Sequence, residues 1–227
     1  CADNRRFSSC AAAMTDSAPP VLIDIGANLT HESFRHDFDA VLQRAADAGV
    51  AQLVVTGASV EGSPQALALA RAHPGRLYAT AGIHPHHASD YDAEVDALLR
   101  ELVAAPEVRA VGETGLDYHR NFSPRAAQLF AFERQLQIAV DCGKPLFLHQ
   151  RDAHADFLAL LRQVRDRVGA AVVHCFTGTR EELYDYLDLD CHIGITGWIC
   201  DERRGTHLRE FVREIPPQRL MLETDAP

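Results

Sequence analysis

Four side chains, far apart in the chain, stand where short apolar runs end. Glu113 follows Val108-Arg109-Ala110-Val111, fenced by Gly112 and Gly115. His149 closes Pro145-Leu146-Phe147-Leu148, His174 closes Ala171-Val172-Val173, and Asp225 follows Leu220-Met221-Leu222. A carboxylate at the end of a buried strand needs a positive partner. Two imidazoles and two carboxylates at successive strand ends form a donor set for a divalent cation, and the mixed nitrogen and oxygen donors suit Mg²⁺, Mn²⁺ or Zn²⁺. One buried histidine alone is more often a hydrogen-bonded structural residue. Four ligand-type residues, each at a strand end, favour the metal. In this reading Glu113 bridges or binds, and Asp225 binds or takes a proton from the attacking water.

A second group sits beyond the same ends. Gly82-Ile83-His84-Pro85-His86-His87 carries three histidines in four residues. Pro85 breaks the geometry that a paired-ligand motif needs, so His84 and His86 read as contacts to a substrate phosphate, and His87 receives no role. Asp117, Arg151, Asp152, Thr177, Arg180, Trp198 and Asp201-Glu202-Arg203-Arg204 fall in further loops. Arg151, Arg203 and Arg204 have the chemistry to hold phosphates, and Trp198 to stack on a base. Each alone is an ordinary solvated loop residue; together they suggest a substrate rim.

The elements that must position these groups alternate. Strands are expected at 21–25, 51–56, 77–81, 108–111, 146–149, 171–174, 192–195 and 220–223. Between them lie amphipathic helices at about 34–48, 63–72, 93–104, 124–142 (with Ser123 as N-cap), 153–168, 180–187 and 205–214. The glycines around Glu113 read as the turn that ends its strand. Eight strands alternating with seven helices predict a (β/α)₈ TIM barrel, with an open doubly wound sheet as the other α/β choice. The polar residues collect after most strands, not at one switch point, which favours the barrel. A barrel needs an eighth helix over strands eight and one. The chain reads as truncated there, with Val21, Ile23, Leu220 and Leu222 left uncovered. Residues 1–20 are expected to be a disordered leader, not native before Met14, and 21–227 the barrel domain.

Composition narrows the classes. With 227 residues and 47% hydrophobic content, the chain can bury a substantial core. A net charge of −10 argues against a broad basic surface gripping many phosphates, but leaves room for a small cleft. The six cysteines lack any Cys-x-x-Cys pair and fit reduced cytoplasmic thiols, with Cys175 read as a buried filler. No apolar run reaches the ~18 residues of a membrane span.

Six ordered motifs then resemble the TatD family of metal-dependent deoxyribonucleases, within the amidohydrolase-like barrels. They are Asp-Ile-Gly-Ala-Asn-Leu (24–29), Gly-Ile-His-Pro-His (82–86), Gly-Glu-Thr-Gly-Leu-Asp (112–117), Leu-His-Gln-Arg-Asp (148–152), His-Cys-Phe-Thr-Gly (174–178) and Glu-Thr-Asp-Ala-Pro (223–227). The run 194–205 is similar to the bacterial branch in particular. The resemblance implies a 3′ to 5′ exonuclease on single-stranded DNA and RNA that releases nucleoside 5′-monophosphates, with Mg²⁺ favoured and a place in DNA repair. It implies Glu113, His149, His174 and Asp225 as ligands of one firmly held ion, and His84 beside the scissile phosphate. Many relatives carry His-x-His on strand one, where this chain has Gly26 and Asn28, so a second ion stays open. A monomer is expected for a complete chain. The alternatives are a metal-dependent barrel hydrolase of small esters, amides or phosphoesters, and an inactive metal-binding remnant.

Overall fold

The computed structural model describes residues 21–227. The reading of residues 1–20 as a leader lies outside the described residues. Eight parallel strands follow one another around a single sheet in chain order, β1 to β8. They are β1 (Leu22–Ala27), β2 (Val50–Val55), β3 (Leu77–Ala81), β4 (Val108–Asp117), β5 (Leu146–Arg151), β6 (Ala171–Val173), β7 (His192–Ile195) and β8 (Leu220–Leu222). Between them run α1 (Phe38–Asp47), α2 (Gly62–Ala72), α3 (Ala93–Ala104), α4 (Arg125–Cys142), α5 (His154–Arg162), α6 (Arg180–Asp188) and α7 (Thr206–Phe211). Apolar parallel strands are buried on both faces wherever a helix covers them. The expected barrel is present.

The ring closes at its mouth. Asp225 N donates to Gly26 O at 2.8 Å, and Asn28 N donates to Ala226 O at 2.7 Å. The Thr224 hydroxyl donates to Asp24 Oδ2 at 2.7 Å, while Asp24 Oδ1 accepts from Thr224 N at 3.0 Å. Asp24 is buried, so these bonds tie β1 to the segment after β8. Below the mouth, Val21, Ile23, Leu220 and Leu222 are exposed, as expected from an outer face that no helix covers among the described residues.

Three local readings are corrected. The strand bearing Glu113 does not stop at a glycine turn; β4 runs on for ten residues to Asp117. Gly112 and Gly115 lie within it at φ +138° and +147°. A Cβ on either would strike the backbone oxygen of Phe147 or His149. These glycines let β4 and β5 approach, which only a residue without a side chain permits. Ser123 is not the cap of α4: Pro124 holds that position, and the Ser123 hydroxyl donates to His86 O at 3.0 Å. Three expected helices are shorter: α1 begins only at Phe38, and single 3₁₀ turns at 165–167 and 212–214 take up residues read as α.

α4 positions two strand ends. Gln128 and Gln135, one face of that helix, are fully buried. Gln135 accepts from Ile83 N at 2.7 Å and donates to Ile83 O at 3.0 Å. Gln128 accepts from Asp117 N at 2.8 Å and donates to Asp117 O at 3.1 Å. Each amide replaces a strand partner, fixing the backbone just before His84 and at the end of β4.

Candidate metal centre and active site

Glu113 is the focus. His174 Nε2 lies 2.7 Å from its Oε1, His149 Nδ1 3.2 Å and His84 Nε2 3.4 Å from the same oxygen. The carboxylate is carried inward on β4, the imidazoles on β5 and at the ends of β6 and β3. Two of the rings have a second carboxylate behind them. His149 Nε2 is 3.4 Å from Asp117 Oδ2, and His174 Nδ1 is 3.4 Å from Glu223 Oε2. A carboxylate in front of an imidazole and another behind it is the arrangement that orients metal-binding histidines.

His84 differs. Its Nδ1 accepts from His86 N at 3.1 Å, so the neutral ring carries its proton on Nε2, towards Glu113. Burial outweighs the attraction of Glu113 and draws His84 well below the usual imidazole range, keeping it neutral.

Charge follows this geometry. Burial would raise the Glu113 carboxyl, but His174, His84 and His149 hold it well below the usual range. Burial would lower His174, yet Glu113 and Glu223 raise it well above an ordinary imidazole. His149 is raised despite burial by Asp117 and Glu113. Asp225 is raised by burial, against the pull of His174.

The residues present fit a cation. His149 Nε2 and His174 Nδ1 each face a carboxylate at 3.4 Å, which leaves His149 Nδ1 and His174 Nε2, both turned to Glu113, as the nitrogen donors. Ligand atoms of His84, Glu113 and His149 all lie within 4.8 Å of one another. That cluster has the compactness of a site, but the His84 tautomer favours a donor over a ligand. The donor chemistry favours Glu113 with His149 and His174.

A cleft of about 350 Å³ opens over these groups. His84, His86, Glu113, His149, His174, Asp225, Arg151 and Trp198 all line it, so the barrel brings most of the expected site residues to one place. Asp225 is at φ +52°, its carboxylate accepting from Asn28 Nδ2 at 3.2 Å. Arg204 lies over the Trp198 ring at 4.1 Å, paired to Asp201 at 2.9 Å, beside a second cavity of about 230 Å³ that shares Arg151 and Trp198. Arg203 stays in solvent, 3.9 Å from Asp201 and away from the cleft wall. Asp117, expected at the substrate, is 1% exposed. It accepts from His86 Nε2 at 2.9 Å and from Arg120 N at 2.8 Å, so it orients imidazoles instead of facing the cleft. Cys175 is half-buried at the cleft wall, its thiol pushed up to about 12 by burial.

The sequence reading missed Glu223, Gln128 and Gln135. A signal for Glu223 existed: Gly26 on β1 and Gly194 on β7, the strands flanking β8, both vacate the space its carboxylate occupies.

A parallel barrel with histidines and carboxylates gathered at its C-terminal mouth is the architecture of the metal-dependent, amidohydrolase-like hydrolases. The comparisons agree. The family model for TatD related DNase matches residues 23–227, and the chain belongs to that family. The 3′-5′ ssDNA/RNA exonuclease TatD of Enterobacter lignolyticus is 53% identical over 206 residues, 91% of this chain and 79% of that protein. Among solved structures, a TatD homolog from Escherichia coli superposes with TM-score 0.83 at 32% identity, over 91% of this chain and 79% of that one. An uncharacterized amidohydrolase from Saccharomyces cerevisiae gives 0.79 at 29% identity, over 92% and 76%.

Proposed function

We propose that this chain is a metal-dependent phosphodiester hydrolase, a 3′ to 5′ exonuclease on single-stranded DNA and RNA. The observation that carries the reading is the pair of imidazoles, His149 and His174, each turned to Glu113 and backed by Asp117 or Glu223. Glu113, His149 and His174 would hold a divalent cation, with Asp225 as a fourth donor or as base. Mg²⁺ is the proposed ion, in keeping with carboxylate donors and a phosphate substrate. When bound, such an ion supplies Lewis acidity towards a phosphate oxygen. The name of the Enterobacter relative supports the substrate and the direction of digestion.

The chain's own residues supply the rest. Arg151 and Arg204, both near Trp198, draw the phosphodiester strand into the cleft. Trp198 offers a ring face to a base. His84, with its proton on Nε2, donates to a phosphate oxygen as charge builds there. Asp225 takes a proton from the attacking water. The water oxygen bonds to phosphorus, the bond to the 3′ oxygen breaks, and that oxygen leaves on the shortened strand, taking a proton from solvent as Asp225 returns its own to solvent. The product is a nucleoside 5′-monophosphate.

We also propose a cytoplasmic enzyme that works as a monomer once the outer face of β8 and β1 is covered. No helix among the described residues is long and apolar enough to cross a membrane. The test is digestion of a 3′-labelled and a 5′-labelled single strand with Mg²⁺. Mononucleotides should leave from the 3′ end and stop with chelator. Cleavage of small esters alone, with the strand intact, would contradict the proposal.

A further inference from the structure

The exposed aromatic side chains among the described residues are Phe122, Phe130 and Tyr184. Phe130 packs against Tyr91, and the Tyr184 hydroxyl donates to Glu214. Phe122 instead touches the wall of the cleft. Its ring is 66% exposed and lies 4.7 Å, edge to face, from His86. From there the rings continue inward: His86 to His84 at 4.1 Å, and His84 to His149 at 4.4 Å.

The loop that presents Phe122 is anchored on both sides. Arg120 N donates to Asp117 Oδ1 at 2.8 Å. The Ser123 hydroxyl donates to His86 O and accepts from Ser89 N at 3.1 Å. An apolar ring held in solvent contributes little to the core, but it is a preformed face for another π-system.

We propose that Phe122 is the stacking platform for the base of the departing 3′-terminal nucleotide. This rests on the exonuclease reading above. Phe122 lies on the loop after β4, against His86, and Trp198 follows β7, three strands further round the ring, so the two aromatic faces stand at separate places on the mouth. Of the arginines that line these two cavities, Arg204 lies on the Trp198 ring at 4.1 Å, and Arg151, at the end of β5, stands between the two aromatic faces, 5.9 Å from that ring. A continuing strand brings one phosphate per nucleotide and suits the part of the mouth that holds Trp198 and these arginines. The terminal nucleotide brings only the scissile phosphate, and its base needs a ring more than a cation. Phe122 supplies that ring next to His86 and His84.

The test is calorimetric binding of two probes, deoxyadenosine 5′-monophosphate and 2-deoxyribose 5-phosphate, in the presence of Mg²⁺. Wild type, Phe122→Ala and Phe122→Tyr are compared. Phe122→Ala should weaken the nucleotide roughly tenfold, in the range of one lost base stack, and leave the base-free sugar phosphate unchanged. Phe122→Tyr should keep wild-type affinity. Equal binding of the nucleotide by wild type and Phe122→Ala overturns the proposal, as does equal weakening of both probes. Strand digestion by wild type is measured alongside. If it is absent, the exonuclease reading itself falls; if it persists while Phe122→Ala binds normally, only the stacking role falls.

Discussion

The carboxylate of Glu223 occupies space beside Gly26: its Oε2 lies 2.7 Å from the point where a Cβ at that position would stand. A side chain on Gly26 must therefore move a buried carboxylate that backs His174. Gly26→Ala should destabilise the chain by about 1–3 kcal/mol, the usual cost of overpacking, lowering the melting temperature by several degrees. Glu223→Asp in the same chain, one methylene shorter, should restore part of the loss. Additive effects of the two substitutions would show that the residues do not meet.

Asp117 touches no part of the open cleft, yet it holds His86 and stands behind His149. Asp117→Asn should weaken binding of Mn²⁺, titrated by calorimetry, about 10- to 100-fold, the range for groups that orient a ligand. An unchanged affinity would assign Asp117 to loop structure alone, through Arg120 and Gln128.

Far from the site, Asp96 joins α3 to α4. It accepts from Arg100 at 2.8 Å, Arg134 at 3.0 Å and Tyr91 at 3.1 Å. Burial would raise its carboxyl, but these bonds hold it below the usual range. The folded value is depressed, so the stabilisation is complete above the unfolded value of about 3.9 and fades as pH falls through the folded one. Wild type should exceed Asp96→Asn in melting temperature at neutral pH, and the gap should close below about pH 4. A gap that persists in acid would exclude the carboxylate as its source.

Trp198, the sole tryptophan, carries Arg204 over its ring and lines both cavities. Trp198→Ala should raise KM for a single-stranded oligonucleotide about tenfold, in the range of one base stack, with a smaller effect on kcat. An unchanged KM would remove Trp198 from the strand's path.

The barrel was legible because each strand is a short apolar run and each helix has its own period, so local pattern and tertiary role agree. That Glu113, His149 and His174 meet was legible for the same reason: a charged or imidazole side chain ending an apolar run is conspicuous. Asp117 was misjudged as a rim residue, because the glycines before it read as a turn when β4 in fact continues through them. Glu223, Gln128 and Gln135 escaped notice. What they do depends on which distant backbone they meet, and neither spacing nor composition reports that. Phe122 was equally silent: an aromatic residue in a polar loop shows its use only when its neighbour proves to be His86.

The most direct test of the centre is one experiment on two proteins, wild type and Glu113→Ala. Each is stripped of metal, titrated with Mg²⁺ or Mn²⁺, and assayed for mononucleotide release from a single strand. The wild type should bind the ion and release mononucleotides until chelator is added. Glu113→Ala should bind more than about 100-fold more weakly, beyond the range for an orienting group, and release none. Full metal-dependent release by Glu113→Ala would contradict the account at its root.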